Sequence, residues 1–179
     1  MSSDDRYAAY RSGSTEPETV DVICAMVKAL EPRIVIETGS FEGLTTERLF
    51  RVMEQFEHTS ILYTVEADPD RYHVMMEKQW LTKHPSMTVC AVHQDALDYL
   101  ASLQSDMVDF IFLDDDHSGD HVAHEIREAM RILRPGGVCV VHDVIGPFNL
   151  APIVKVMGGV CLPFKRLHAA GGLGVLVRE

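Results

Sequence analysis

Two rhythms of apolar residues alternate along the chain. Unbroken apolar runs at Ile34-Val35-Ile36, Ile61 to Val65, Thr88 to Val92, Val108 to Leu113 and Val138 to Val141 have the length and β-branched content of buried strands. Between them the apolar positions recur at helical spacing, as in Val20, Ile23, Met26, Val27 and Leu30, then Leu44, Leu49, Val52, Met53 and Phe56, then Tyr72, Met75, Met76 and Trp80. The pattern predicts helices from Pro17 or Glu18 to Leu30, with Ser14 or Thr15 as caps, then Leu44 to His58 and Pro69 to Lys83. A short helix runs through Leu103, and a longer one spans about Asp120 to Leu133. Glu31-Pro32, His84-Pro85 and Arg134-Pro135-Gly136-Gly137 close three of these helices, because proline lacks the N–H that a helix needs.

Strand and helix in strict alternation make parallel βα connections the simplest topology. After Asp143 the rhythm weakens to a short helix at Ala151 to Met157. Strand-like segments follow at Phe164 to Leu167 and Gly174 to Val177, joined across Ala169 to Gly172 as an antiparallel pair. The expected fold is therefore α/β, an open, mostly parallel seven-stranded sheet with a C-terminal antiparallel edge. Residues 1–16 read as an N-terminal arm and 17–179 as one domain. The arm carries Tyr7 and Tyr10 and reads either as a partly ordered tail or as a strap supplying an aromatic face to a ligand.

The strands end in acids. Glu37, Glu66, Asp95, Asp114 and Asp143 follow successive apolar runs, and in an open parallel sheet such tips converge on one crevice despite their distance in sequence. The first turn, Glu37-Thr38-Gly39-Ser40-Phe41-Glu42-Gly43, permits close backbone approach to a ligand. It lacks G-x-G-x-x-G, and neither the phosphate-loop pattern nor its lysine is present. An acid before the turn repels pyrophosphate and attracts an ammonium. Glu66 suits ribose hydroxyls, while Asp68 and Asp70 suit capping of the third helix equally well.

Charge narrows the partners. A formal net charge of -11 argues against a general nucleic-acid surface, which needs Lys and Arg to neutralise phosphates. Cys24, Cys90, Cys139 and Cys161 lie apart among apolar residues with no zinc-like spacing, and are expected as buried free thiols. No apolar run approaches the ~18 residues of a membrane span, and the polar start does not resemble a signal peptide, so a soluble cytoplasmic protein is expected.

Glu37-Thr38-Gly39 after strand one, Glu66 after strand two, Asp95 after strand three and Asp114 after strand four together resemble the class I methyltransferases that use S-adenosylmethionine. The resemblance covers roughly Thr15 to Arg178 and implies a Rossmann-like fold. It places the Gly39 turn at the methionine end of the cofactor, Glu66 at the ribose, and Gln94 or Asp95 with Ala96 at the adenine. The implied cofactor residues are Glu37, Thr38, Gly39, Ser40, Phe41, Thr45, Glu66, Ala67, Gln94, Asp95, Ala96 and Asp114.

Asp114-Asp115-Asp116-His117 and His142-Asp143 look like the methyltransferase group with a D-x-D-H stretch and a terminal H-D pair. They are also similar to the divalent-metal-dependent catechol and caffeoyl-coenzyme A O-methyltransferases. The two metal-binding aspartates of that family fall on Asp114 and Asp143, the asparagine after the second falls on Val144, and the catalytic lysine falls on His117. Valine cannot ligate, so His142, Asp116 or a backbone carbonyl is left to complete a site for Mg²⁺ or another dication, and metal use stays open.

The resemblance implies O-methylation of a small hydroxylated metabolite or natural-product intermediate. His117 is the first candidate base and His142 the second, while Asp114 with Asp143, directly or through a divalent ion, would favour the developing alkoxide. An unperturbed histidine titrates near about 6.5, which suits a base at neutral pH. His117 and His142 also read as groups that only order neighbouring acids, and His121 and His124 as surface or groove residues. N-methylation and a non-catalytic cofactor-binding protein are the alternatives, a dinucleotide oxidoreductase is disfavoured by its missing fingerprint, and a homodimer is compatible with a shallow pocket.

Overall fold

The computed structural model describes residues 14–78, 84–163 and 171–179. The chain alternates α1 (Pro17–Leu30), β1 (Ile34–Thr38), α2 (Leu44–Met53), β2 (Ser60–Glu66), α3 (Pro69–Met76), β3 (Met87–His93), α4 (Ala96–Ser102), β4 (Val108–Leu113), α5 (Gly119–Ile132) and β5 (Leu133–Val141). It ends in α6 (Ala151–Val156), β6 (Val160–Leu162) and β7 (Leu173–Val177). These seven strands form one sheet in the order β3-β2-β1-β4-β5-β7-β6. Strands β1 to β5 run parallel, and β7 pairs antiparallel with both β5 and β6.

The Rossmann-like α/β sheet expected from the sequence is what forms, with its antiparallel edge. Strand order reverses between β1 and β4, and that switch point opens a crevice beyond the strand C-termini. Register aligns the tips, since Thr38 pairs with Val65 and Leu113, and Leu113 pairs with Val141. The residues after these positions, Gly39, Glu66, Asp114 and His142, therefore meet at one level.

Period-two alternation divides the core between the two sheet faces. Val35, Phe110, Phe112, Val138 and Val140 pack with Val20, Ile23, Val27, Leu49, Phe50 and Met53 of α1 and α2. Ile36, Ile111, Leu113, Cys139 and Val141 pack with Leu100 of α4, Ile126, Ala129 and Ile132 of α5, and Val154 of α6. Each fully buried branched side chain contributes about 1.5–3 kcal/mol, so both faces are strongly held.

Several boundaries differ from the sequence reading. The N-cap of α1 is Glu16 in extended conformation, not Ser14 or Thr15, and Pro17 begins the helix. Helix α2 ends at Met53, short of His58, and α3 ends at Met76, while residues 79–83 of the expected helix lie outside the described residues. Asp68 caps α3 by accepting from the N–H groups of Asp70 and Arg71. Strand β5 starts at Leu133 and takes in Pro135-Gly136-Gly137, because Gly136 N–H donates to Arg178 and Arg178 N–H donates to Gly137. The edge partner of β7 is Val160–Leu162, whereas the expected segment, 164–167, lies outside the described residues, as do Tyr7 and Tyr10. Cys24 and Cys139 are buried free thiols, but Cys90 and Cys161 are only half-buried. Among the described residues no helix is long and apolar enough to cross a membrane.

Candidate active site

The strand tips surround a cavity of about 700 Å³. Gly39, Phe41, Glu66, Ala67, Gln94, Asp95, Ala96, Asp114, His117, His142 and Asp143 line it, so most of the residues singled out in the sequence come together. Ser40 and Thr45 border a small side pocket shared with Asp114 and Thr15. Glu37 and Thr38 are not on the cavity wall. The Glu37 carboxylate lies under the first turn, where the hydroxyls of Thr46 and Thr64 donate to its Oε2 at 2.5 and 2.8 Å. Burial pushes this carboxyl up to about 7, against the pull of the two hydroxyls. The Thr38 hydroxyl donates to Glu125 at 3.3 Å instead of facing the cavity.

Gly39 has a left-handed φ of 71°, and a Cβ there would stand 2.1 Å from the Asp114 carbonyl oxygen. The glycine is thus required by the approach of the first turn to β4, a closer constraint than contact with a ligand. Beyond it, Phe41 N–H donates to Glu66 Oε2 at 2.7 Å and Asp68 N–H to Oε1 at 2.9 Å. Each oxygen keeps a further lone pair for a ligand hydroxyl. Asp95 is partly committed, since it caps α4 by accepting from Asp98 N–H at 3.0 Å.

At the other end of the cavity acids and imidazoles interlock. His142 Nδ1 lies 2.7 Å from Asp114 Oδ1 and its Nε2 lies 2.9 Å from Glu16 Oε2, so both nitrogens donate and the ring is an imidazolium. Burial alone would lower its pKa, yet Asp114 and Glu16 raise it to about 11. Burial likewise opposes ionisation of Asp114, but His142, His117 and the Thr15 hydroxyl at 2.5 Å bring it down to about 2. Glu16 is also held below its ordinary range, its burial outweighed by His142.

His117 Nε2 approaches Asp143 Oδ2 at 3.1 Å and Asp114 Oδ1 at 3.6 Å, and its ring stacks on Phe148 with centroids 4.5 Å apart. Contacts with Asp114 and Asp143 raise it to about 9 despite partial burial. The ordinary histidine pKa expected for this base is therefore not what the site provides, and His117 keeps its proton at neutral pH. Asp143 turns into the cluster through a left-handed φ of 53°, an arrangement that costs on the order of 1–3 kcal/mol and concentrates at functional sites.

This donor set fits a divalent cation. Asp143 Oδ1 is buried without a hydrogen-bond partner and lies 3.6 Å from His142 Nε2. Glu16, His142 and Asp143 each offer an atom within 4.8 Å of the others, as do Asp114, His117 and His142. Glu16, Thr15 and Phe148 were missed in the sequence. The only signal for Glu16 was an acid directly before the proline that opens α1. Val144 is fully buried and ligates nothing, as its side chain requires.

The sequence profile of a family described as "Methyltransferase domain" matches residues 36–144, more than half of the chain, from β1 through the turn after β5. The chain belongs to this methyltransferase family. A Mycolicibacterium vanbaalenii protein, provisionally named an O-methyltransferase, is 27% identical over 134 residues. That match covers 73% of this methyltransferase chain and 56% of the relative, so the chain spans little more than half the length of the curated relatives it matches. A crystal structure from Klebsiella pneumoniae, with a similarly provisional O-methyltransferase title, superposes with TM-score 0.73 at 20% identity, covering 98% of this chain and 87% of that one. The O-methyltransferase TomG from Streptomyces achromogenes, solved with S-adenosylmethionine, gives 0.72 at 16% identity, covering 97% and 86%. At such identities the structural matches speak for the methyltransferase fold alone.

Proposed function

We propose that this methyltransferase domain transfers a methyl group from S-adenosylmethionine to a hydroxyl of a small metabolite or natural-product intermediate. The observation that carries the reading is the convergence of Asp114, Asp143, His117 and His142 at one end of a cavity whose other end holds Glu66. Acid-rich walls suit a cationic cofactor, and the cavity size suits a small ligand.

Bound S-adenosylmethionine supplies an electrophilic methyl group on a sulfonium, and a dication, Mg²⁺ first, would supply positive charge beside the acceptor oxygen. Glu16, His142 and Asp143 would hold that ion, which would displace the Nε2 proton of His142, with Asp114 fixing the ring through Nδ1. Glu66 accepts the ribose hydroxyls through its free lone pairs, and Gln94, Asp95 and Ala96 border the adenine. Glu37 acts beneath the turn, holding Thr46 and Thr64, and so keeps Gly39 and Phe41 in place for the methionine end.

His117 is the proposed base, receiving the hydroxyl proton at Nε2. Because its pKa is raised to about 9, the neutral form that can accept this proton is a minority at neutral pH and grows as pH climbs toward that value. Phe148 on the face of His117, and Thr15 with Glu16 over Asp114 and His142, restrict water at the acceptor. In this reading residues 17–179 form the catalytic domain and the end of the 1–16 arm completes the site. Labelled S-adenosylmethionine with a hydroxyl-metabolite library tests the proposal. Label recovered on an acceptor oxygen supports it, and cofactor binding without transfer opposes it.

A further inference from the structure

A second group of donors shares no residue with the cluster described above. We propose that Asp115, His121 and Glu125 form a separate metal site for a zinc-class dication, opening onto the same cavity. His121 and Glu125 stand one helical turn apart on α5, the spacing at which a helix presents two ligands side by side. Asp115, in the loop after β4, faces them, and one ligand atom from each residue lies within 4.8 Å of the others.

The distances match the ion. His121 Nε2 is 3.3 Å from Asp115 Oδ2 and 3.8 Å from Glu125 Oε2. Ligands bound to tetrahedral zinc at ~2.0–2.1 Å stand about 3.3–3.4 Å from each other, so both contacts of His121 lie within a few tenths of an ångström of that spacing. Glu125 is 1% exposed, and burial with Asp115 beside it raises its carboxyl to about 10, so an ion bound there displaces its proton. Its other oxygen, Oε1, accepts from the Thr38 hydroxyl at 3.3 Å, a bond that fixes the rotation of the carboxylate as supporting groups do around metal ligands. Asp115 Oδ1, the oxygen other than the one against His121, is buried and has no hydrogen-bond partner, so this carboxylate has an acceptor to spare.

One imidazole and two carboxylates suit Zn²⁺ or Co²⁺, and the tetrahedral binding of Co²⁺ can be read directly. Asp115 and His121 both line the cavity, so an ion held there would be within reach of a ligand or water.

The site is tested without a methyl donor, so the outcome is independent of the reaction proposed above. The full chain, stripped of metal by chelation, is titrated with Co²⁺ while the visible absorption of tetrahedral cobalt is followed and circular dichroism monitors folding. Wild type is expected to show the tetrahedral band, and Asp143→Asn, which leaves this cluster whole, is expected to keep it. Glu125→Gln, close to isosteric, and His121→Ala at a partly exposed position are each expected to weaken that band's apparent affinity by about tenfold or more. The proposal is overturned if wild type shows no tetrahedral band, if both cluster variants keep it, or if only Asp143→Asn removes it.

Discussion

The Glu37→Gln substitution isolates what burial does beneath the first turn. Glu37 is 1% exposed, and its Oε2 receives the hydroxyls of both Thr46 and Thr64. Those bonds favour the anion, but burial prevails and moves the carboxyl from 4.5 to about 7. Between these values the folded state binds more protons than the unfolded state, so the free energy of unfolding falls as pH rises. The cost is absent well below 4.5 and complete above about 7. That displacement corresponds to about 3 kcal/mol at full ionisation, of which about 2 kcal/mol develops between pH 5.5 and 8.5.

Glutamine keeps an oxygen for the two threonines and carries no charge at any pH. Urea unfolding of wild type and Glu37→Gln at the two pH values measures the effect, because the other titrating groups cancel in the difference. A constant offset from the new amide cancels as well. The variant is expected to gain about 2 kcal/mol on wild type as the pH is raised over that interval. Parallel profiles would refute the reasoning, since they would mean that Thr46 and Thr64 fully offset the burial of the charge.

Three further outcomes follow from the site. Glu66→Gln removes the charge that strengthens bonds to ribose hydroxyls while keeping an acceptor, and is expected to weaken S-adenosylmethionine binding about 10- to 100-fold in calorimetry. Gly39→Ala would drive a Cβ against the Asp114 carbonyl, so a loss on the order of 3 kcal/mol in chemical unfolding is expected, together with weaker cofactor binding. Glu16→Ala leaves His142 Nε2 without its 2.9 Å partner. It is expected to lower the affinity for Mg²⁺ at least about tenfold, measured by dialysis and elemental analysis, with little change in cofactor affinity.

The strands were legible because residues such as Ile111 and Val140 must be apolar whichever face of the sheet they reach. The short edge strand was not, since Val160–Leu162 spans three residues with Val160 63% exposed and so leaves little hydrophobic signal. Arg134 to Gly137 reads as a turn locally, and only its pairing with Arg178 draws it into β5. Asp114, His117, His142 and Asp143 could be picked out as polar groups at apolar strand tips. Glu16 could not, because its contact with His142 exists only once α1 has packed against the sheet. The imidazole pKa values were hidden for the same reason, for each depends on carboxylates brought from separate elements.

The most direct test of the central claim is to follow the methyl group itself. Purified protein is incubated with S-adenosylmethionine carrying a labelled methyl and a library of small hydroxylated metabolites, and the labelled product is located by mass spectrometry and NMR. The account predicts the label on an acceptor oxygen, with transfer abolished by Asp114→Ala. Calorimetric cofactor binding with no transfer across a broad library, or a label found on nitrogen, would contradict it.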